Sequence, residues 1–182
     1  MVRTYLVIAL SLWSSASAVA GDVREITIER INFERTKAGL AKVTYNTKLK
    51  AAAQAHAEWM ARTAKMTHMQ GEKPIGNSRE VWANSTWHPI NRAIQAGYLE
   101  LDILSAPDAN DHVGEVIAHG DARSGPDRFR PQAIVAGWMR SDWHRKTLLG
   151  AFQDIGIGVM INEHGGVFWC AVLGKPQRRT TR

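Results

Sequence analysis

Three side chains, distant along the 182-residue sequence, are of the types that do chemistry in a cleft: His68, Glu115 and His144. His68 follows a long amphipathic segment and precedes Gly71, which places it at a helix end. His144 follows the apolar helical stretch Ile134, Val135, Trp138 and Met139, just past Ser141-Asp142, on what reads as a tight connection. Leu148, Leu149 and Gly150 close a second short turn behind it. Glu115 lies in Val113–His119, a candidate strand so apolar that a carboxylate there must be ion-paired or hydrogen-bonded. It is either the partner of an arginine or a site carboxylate. Two neutral imidazoles and a carboxylate can bind zinc and leave a position for water. The same trio can form a hydrogen-bonded acid–base cluster without any metal, and spacing does not separate the two.

Other chemistries fail on spacing. The chain has no H-E-x-x-H, no G-x-x-x-x-G-K-[ST] and no G-x-S-x-G. Ser141, Asp142 and His144 are too close in sequence to align readily as a relay. Cys170, the single cysteine, sits in the apolar run Val167–Leu173 and reads as a buried small hydrophobe that cannot form an internal disulfide. His56 falls on an apolar helix face and reads as a core histidine with a hydrogen-bond partner.

The elements that must position these groups are legible from periodicity. A helix runs over Val23–Lys37 and stops at Gly39. Asn46 or Thr47 caps a second, Lys48–Lys65, whose apolar face carries Leu49, Ala52, Ala53, His56, Trp59, Met60 and Thr63. Gly71–Asp111 is irregular apart from a short helix opening at Pro89 and ended by Gly97. On the candidate strand, Val113, Glu115 and Ile117 share one face and Val116 and Ala118 the other. A polar loop, Asp121–Arg130, precedes the helix Gln132–Arg140, which opens at Pro131. A hairpin closes the chain, Ile155–Asn162 and Val167–Leu173. Its second strand turns Val167, Trp169 and Ala171 one way and Phe168, Cys170 and Val172 the other. Both faces being apolar, both must be covered. The fold class is α+β, a three-layer α-β-α sandwich with a central antiparallel sheet.

The length suits one domain, and seven tryptophans imply firmly anchored packing. Residues 1–20 read as a signal peptide: Arg3, an apolar run Tyr5–Trp13 too short to span a bilayer, and Ala18-Val19-Ala20 before Gly21. Cleavage follows Ala20, with Ala18 the alternative, and the mature chain is exported to a periplasm or beyond, with no transmembrane segment. The formal charge of +6 is unevenly spread. Setting aside Arg3 and the tail residues Lys175, Arg178, Arg179 and Arg182 leaves 18 of the 23 basic residues against 17 acidic ones. The basicity thus belongs to a tail, 175–182, and not to a nucleic-acid-binding face. Between leader and tail lies one domain, 21–174.

Seven motifs occur in order: Asn32-x-x-Arg35-x-x-x-Gly39-Leu40; the alanine-rich helix around His56; Thr67-His68; Asn91-Arg92-Ala93-Ile94-Gln95-Ala96-Gly97-Tyr98; Gly114-Glu115; Gly137-Trp138-Met139-x-Ser141-x-x-His144-Arg145; and Ile155-Gly156-Ile157-Gly158-Val159. Together, over Ile28–Gly174, they resemble the CAP superfamily of cysteine-rich secretory, antigen 5 and pathogenesis-related proteins, the SCP domain. The compact bacterial members without disulfides are the most similar. The resemblance implies a central cleft with two histidines and two glutamates that in some members bind a divalent metal, here zinc or magnesium. His68, Glu115 and His144 match three of those places. The fourth acid is missing: Ser141 and Gln132 stand where it would fall, and Asp142 is the only acid nearby. G-E-N reads Gly114-Glu115-Val116, and S-P-G-H reads Ser141-Asp142-Trp143-His144.

The resemblance points to binding of a small-molecule, lipid or envelope ligand by a monomer or weak dimer rather than to one shared reaction. Two rival expectations accompany it. One is a metal-assisted hydrolase with Glu115 as general base. The other is an envelope or host-surface module that uses exposed aromatics such as Trp82 and Trp87 with the basic tail.

Overall fold

The strand Val167–Leu173 fixes the layers, because each of its faces feeds a separate core. A computed structural model of the chain describes residues 12–76, 78–122 and 130–177, with side chains from Val23 onward. The first eleven residues of the leader, most of the loop 121–130 and the tail beyond Gln177 lie outside the described residues. Among the described residues six α-helices and four strands follow in the order α1 (Leu12–Lys37), β1 (Thr44–Tyr45), α2 (Thr47–Thr63), α3 (Arg79–Ala83), α4 (Pro89–Gln95), β2 (Val113–Asp121), α5 (Pro131–Arg140), α6 (Asp142–Leu148), β3 (Asp154–Ile161) and β4 (Gly166–Gly174). The sheet order is β1-β3-β4-β2. β4 pairs antiparallel with β2 and β3, while the two-residue β1 lies parallel to β3, so the sheet is mixed at one edge and antiparallel elsewhere.

Phe168, Cys170 and Val172 pack with Val113 and Ile117 beneath α2 and α4. Val167, Trp169, Ala171 and Leu173 pack with Val116, Ile155 and Ile157 beneath α1, α5 and α6. The result is the α-β-α sandwich read from the sequence. Asn46 caps α2 by accepting from the Lys48 and Leu49 amides, and Gly39 takes a left-handed φ of 75° just after α1.

Two further devices fix the layers. Ile155 and Ile157 point to one core, so Gly156 and Gly158 face α2. A Cβ on Gly156 would strike the Lys50 and Leu49 backbone, and one on Gly158 the Ala53 backbone. Helix α2 therefore lies directly on the main chain of β3. Asn32 and Arg35 form the second device. The Asn32 amide donates to Val43 O at 2.9 Å and accepts from Val43 N at 2.8 Å, in the manner of a strand pair. Arg35 is 2% exposed, and its guanidinium donates to the carbonyls of Ala41, Leu148, Gly150 and Phe152. One side chain thus moors the end of α6 and the turn behind it to α1.

Gly158→Ala is expected to lower the unfolding free energy by about 3 kcal/mol or more, since the clash is with main chain that cannot rotate away. Gly137→Ala, on α5 with nothing nearer than the Arg140 guanidinium at 3.9 Å, is expected to be neutral or to stabilise by up to about 1 kcal/mol. Urea denaturation of the two variants checks the contrast.

Candidate functional site

Glu115 is 6% exposed on β2 and every acceptor it carries is used. Its Oε2 accepts from Arg92 Nη2 at 2.5 Å and from the Cys170 thiol at 3.4 Å; its Oε1 accepts from His68 Nδ1 at 3.0 Å. His56 Nε2 lies 3.7 Å from the same Oε1. Burial alone would raise the Glu115 carboxyl, but Arg92, then His68 and His56, outweigh it and hold the group at about 2. Burial and the adjacent Glu115 charge push the Cys170 thiol up, so it stays protonated and donates.

Arg92 is itself 3% exposed on α4. Its guanidinium also donates to the carbonyls of His68, Thr86 and Trp87. The loop that carries His68 is thereby tied to the short helix and, through Glu115, to the sheet. His56 is fully buried, its Nδ1 against the Gln70 amide and its Nε2 donating to Thr67 O. Burial lowers its pKa and keeps it neutral. This is the core histidine that the helix face suggested, and it buttresses the same loop.

A cavity of about 680 Å³ opens beside this cluster. His68, His88 and Glu115 line its inner wall, Phe152 and Val113 give it apolar surface, and Trp143, Lys146 and Lys175 stand on its walls toward α6 and the C-terminal segment. Phe152 and Thr147 occupy the space that a side chain on Gly114 would need. Trp143, 69% exposed, is the aromatic that reaches solvent here. Trp82 and Trp87, expected to be exposed, are both half-buried.

The structure thus brings His68 and Glu115 into direct contact at the cavity. His144 is not on a tight connection: Asp142–Leu148 is a helix, and His144 sits in it, half-buried. The helix forms because Ser141 is extended and Arg145 N bonds back to Ser141 O, a pattern that a turn reading of Ser-Asp misses. Burial and then the nearby His68 lower the His144 pKa, but His144 does not line the cavity. Sequence reasoning missed Arg92, although the need for a Glu115 partner implied an arginine, and it missed His88, whose dipeptide with Pro89 marks a helix start. His88 Nδ1 accepts from Ile90 N at 3.4 Å as the N-cap of α4, and burial lowers its pKa.

As arranged, this donor set does not fit a zinc or magnesium ion. Among the described residues no three His, Cys, Asp or Glu side chains are arranged so that they could hold one. Arg92 already neutralises Glu115, and Asp142, 92% exposed at its side chain, pairs with Arg145 at 2.6 Å. The ion pair with Arg92 also makes the Glu115 carboxylate a weaker proton acceptor than a free one.

The family model for the cysteine-rich secretory protein family, CAP, matches residues 28–173, and the chain belongs to that family. Among solved structures, the fold is similar to an extracellular protein containing an SCP domain from Bacillus anthracis (TM-score 0.65, 16% identity, 95% of this chain and 45% of that one). It is also similar to an outer surface protein from Borrelia burgdorferi (TM-score 0.58, 17% identity, 84% of this chain and 92% of that one). At such identities the likeness is one of fold. No curated protein sequence matches the chain.

Removing one member of the buried pair leaves the other charge uncompensated, so Arg92→Met and Glu115→Gln are each expected to cost about 3–5 kcal/mol. The double variant should lose less than their sum, as a denaturation cycle will show. Acid has a defined sign. Below the ordinary carboxyl value of 4.5 the unfolded chain binds a proton that folded Glu115 refuses until about 2, so stability is full above 4.5 and falls through that window. His56, held neutral when folded, adds a loss in the same direction that starts below its ordinary 6.5. Acid titration of Glu115→Gln should show a flatter fall between about 4.5 and 2 than wild type.

Proposed function

We propose that the protein is an exported ligand-binding CAP domain whose cleft takes a small amphipathic molecule with an anionic end. The observation that carries this reading is the cavity itself. Its size is that of a ligand site, about 300–1,000 Å³. Phe152, Val113 and Trp143 offer apolar surface, Lys146 and Lys175 supply positive charge, and the inner imidazoles offer hydrogen-bonding nitrogens. The buried Glu115–Arg92 pair lends the pocket rigidity but no net charge. An anionic head therefore finds its attraction at the two lysines, and an apolar body at Phe152 and Trp143.

Export rests on the leader pattern of residues 1–20. A cut after Ala20 keeps Val23, Ile28 and Ile31, through which α1 packs on the core. Intact mass and N-terminal sequencing of the secreted protein are expected to give Gly21 as the first residue; a chain that begins at Met1 in the extracytoplasmic fraction would refute the leader.

Dodecanoate titrated into the mature protein is expected to shift Trp143 fluorescence and to bind at least about twofold more weakly to Lys146→Ala/Lys175→Ala, since each charge contributes about 0.2–1 kcal/mol. Unchanged fluorescence together with unmoved Phe152 and Trp143 resonances would refute the cleft as a ligand site.

A further inference from the structure

The cleft runs along an unpaired stretch of main chain. β2 is an edge strand. In an antiparallel ladder, residues that bond to the partner alternate with residues whose N–H and C=O turn away. Ala122 N donates to Gly165 O and Lys175 N to His112 O, so the even-numbered positions along β2 face β4. Trp138 Nε1 donates to Ile117 O at 2.9 Å from the other side, which marks the odd-numbered positions as outward. Val113 and Glu115 therefore present their N–H and C=O on the outer edge, and both residues line the cavity. Among the described residues, no hydrogen bond outside the ladder engages either main chain.

The two imidazoles of the inner wall are fixed in opposite senses. A carboxylate only accepts, so His68 Nδ1 carries a hydrogen, and in the neutral ring Nε2 is an acceptor. Ile90 N–H donates to His88 Nδ1, so the His88 hydrogen is on Nε2, a donor. Neither Nε2 has a hydrogen-bond partner among the described residues.

Resting on the reading of the cleft as a ligand site, we propose that its ligand is an extended amide chain, a short N-acyl peptide that adds as a strand to the outer edge of β2 at Val113 and Glu115. The next donor and acceptor of the chain meet His68 Nε2 and His88 Nε2–H, and its terminal carboxylate lies toward Lys146 and Lys175. Strand addition supplies affinity through the main chain and needs alternating donors and acceptors in the ligand. An ester or free fatty acid offers acceptors alone. It would leave the Glu115 carbonyl and His68 Nε2 desolvated without a donor, which costs more than the lost bond.

Octanoyl-glycyl-glycyl-alanine, which carries three amide N–H donors, and its analogue with oxygen in place of all three test this on ¹⁵N-labelled mature protein. The peptide is expected to shift the Val113 and Glu115 amide resonances and to slow their hydrogen exchange. The ester analogue should bind roughly five- to tenfold more weakly. His88→Asn keeps a good N-cap for α4 but withdraws the Nε2–H donor, and is expected to weaken the peptide about fivefold. Equal binding of the two probes, or shifts at Phe152 and Trp143 with the Val113 and Glu115 amides unmoved, would overturn the amide proposal and leave the cleft standing. Full affinity in His88→Asn would overturn the role of that imidazole. If neither probe moves any cleft resonance, the cleft reading fails as well.

Discussion

The ion pair of Arg92 and Glu115 is the constraint on which the rest of the site depends. A carboxylate on a strand with two apolar faces is tolerable only with its charge met at contact distance, and Arg92 Nη2 meets it at 2.5 Å. The other donors of its two Nη groups are spent on the carbonyls of His68, Thr86 and Trp87. One buried guanidinium therefore organises a stretch of chain that has little regular structure of its own. The irregular region between α2 and α4 is held by a polar network on its inner side and not by a hydrophobic face.

This explains why a family site associated in some members with divalent ions has a different character in this chain. With a guanidinium against its one buried carboxylate and no second acid in the cluster among the described residues, the site has the charge of a neutral hydrogen-bonding surface. His68 and His88 are held by their Nδ1 atoms in opposite hydrogen-bonding senses. What remains is a wall patterned by hydrogen-bonding ring nitrogens.

The layers were legible in the sequence because two-residue alternation over a strand as long as β4 admits one reading, and each face of β4 found its own core. The α2 face was legible for the same reason at helical period; Leu49, Ala52, Ala53, His56 and Met60 are all buried. Of the short elements, α4 was legible from Pro89 and Gly97, whereas α6 and β1 were not. α6 spans seven residues and begins with Ser-Asp, whose local hydrogen-bonding chemistry reads equally as a turn. The parallel pairing of β1 rests on two residues, too few for any periodicity. The pairing of Glu115 could be demanded from physics, but not which arginine would supply it, because that depends on tertiary proximity across 23 residues. Tryptophan exposure failed similarly: Trp82 Nε1 bonds to Gly76 O and turns partly inward, whereas Trp143 stands on an outward face of α6.

The Arg35 clamp joins regions that a map of the cleft alone would treat as separate. It grows from the helix at the start of the chain, yet its acceptors include Gly150 and Phe152, which belong to the segment that supplies one wall of the pocket. Until the first helix is seated, the carbonyls of that segment lack their common donor, and the aromatic ring over Gly114 loses the anchor of its own main chain. The wall at Phe152 is thus contingent on a long-range docking step of folding, and a half-assembled chain lacks it.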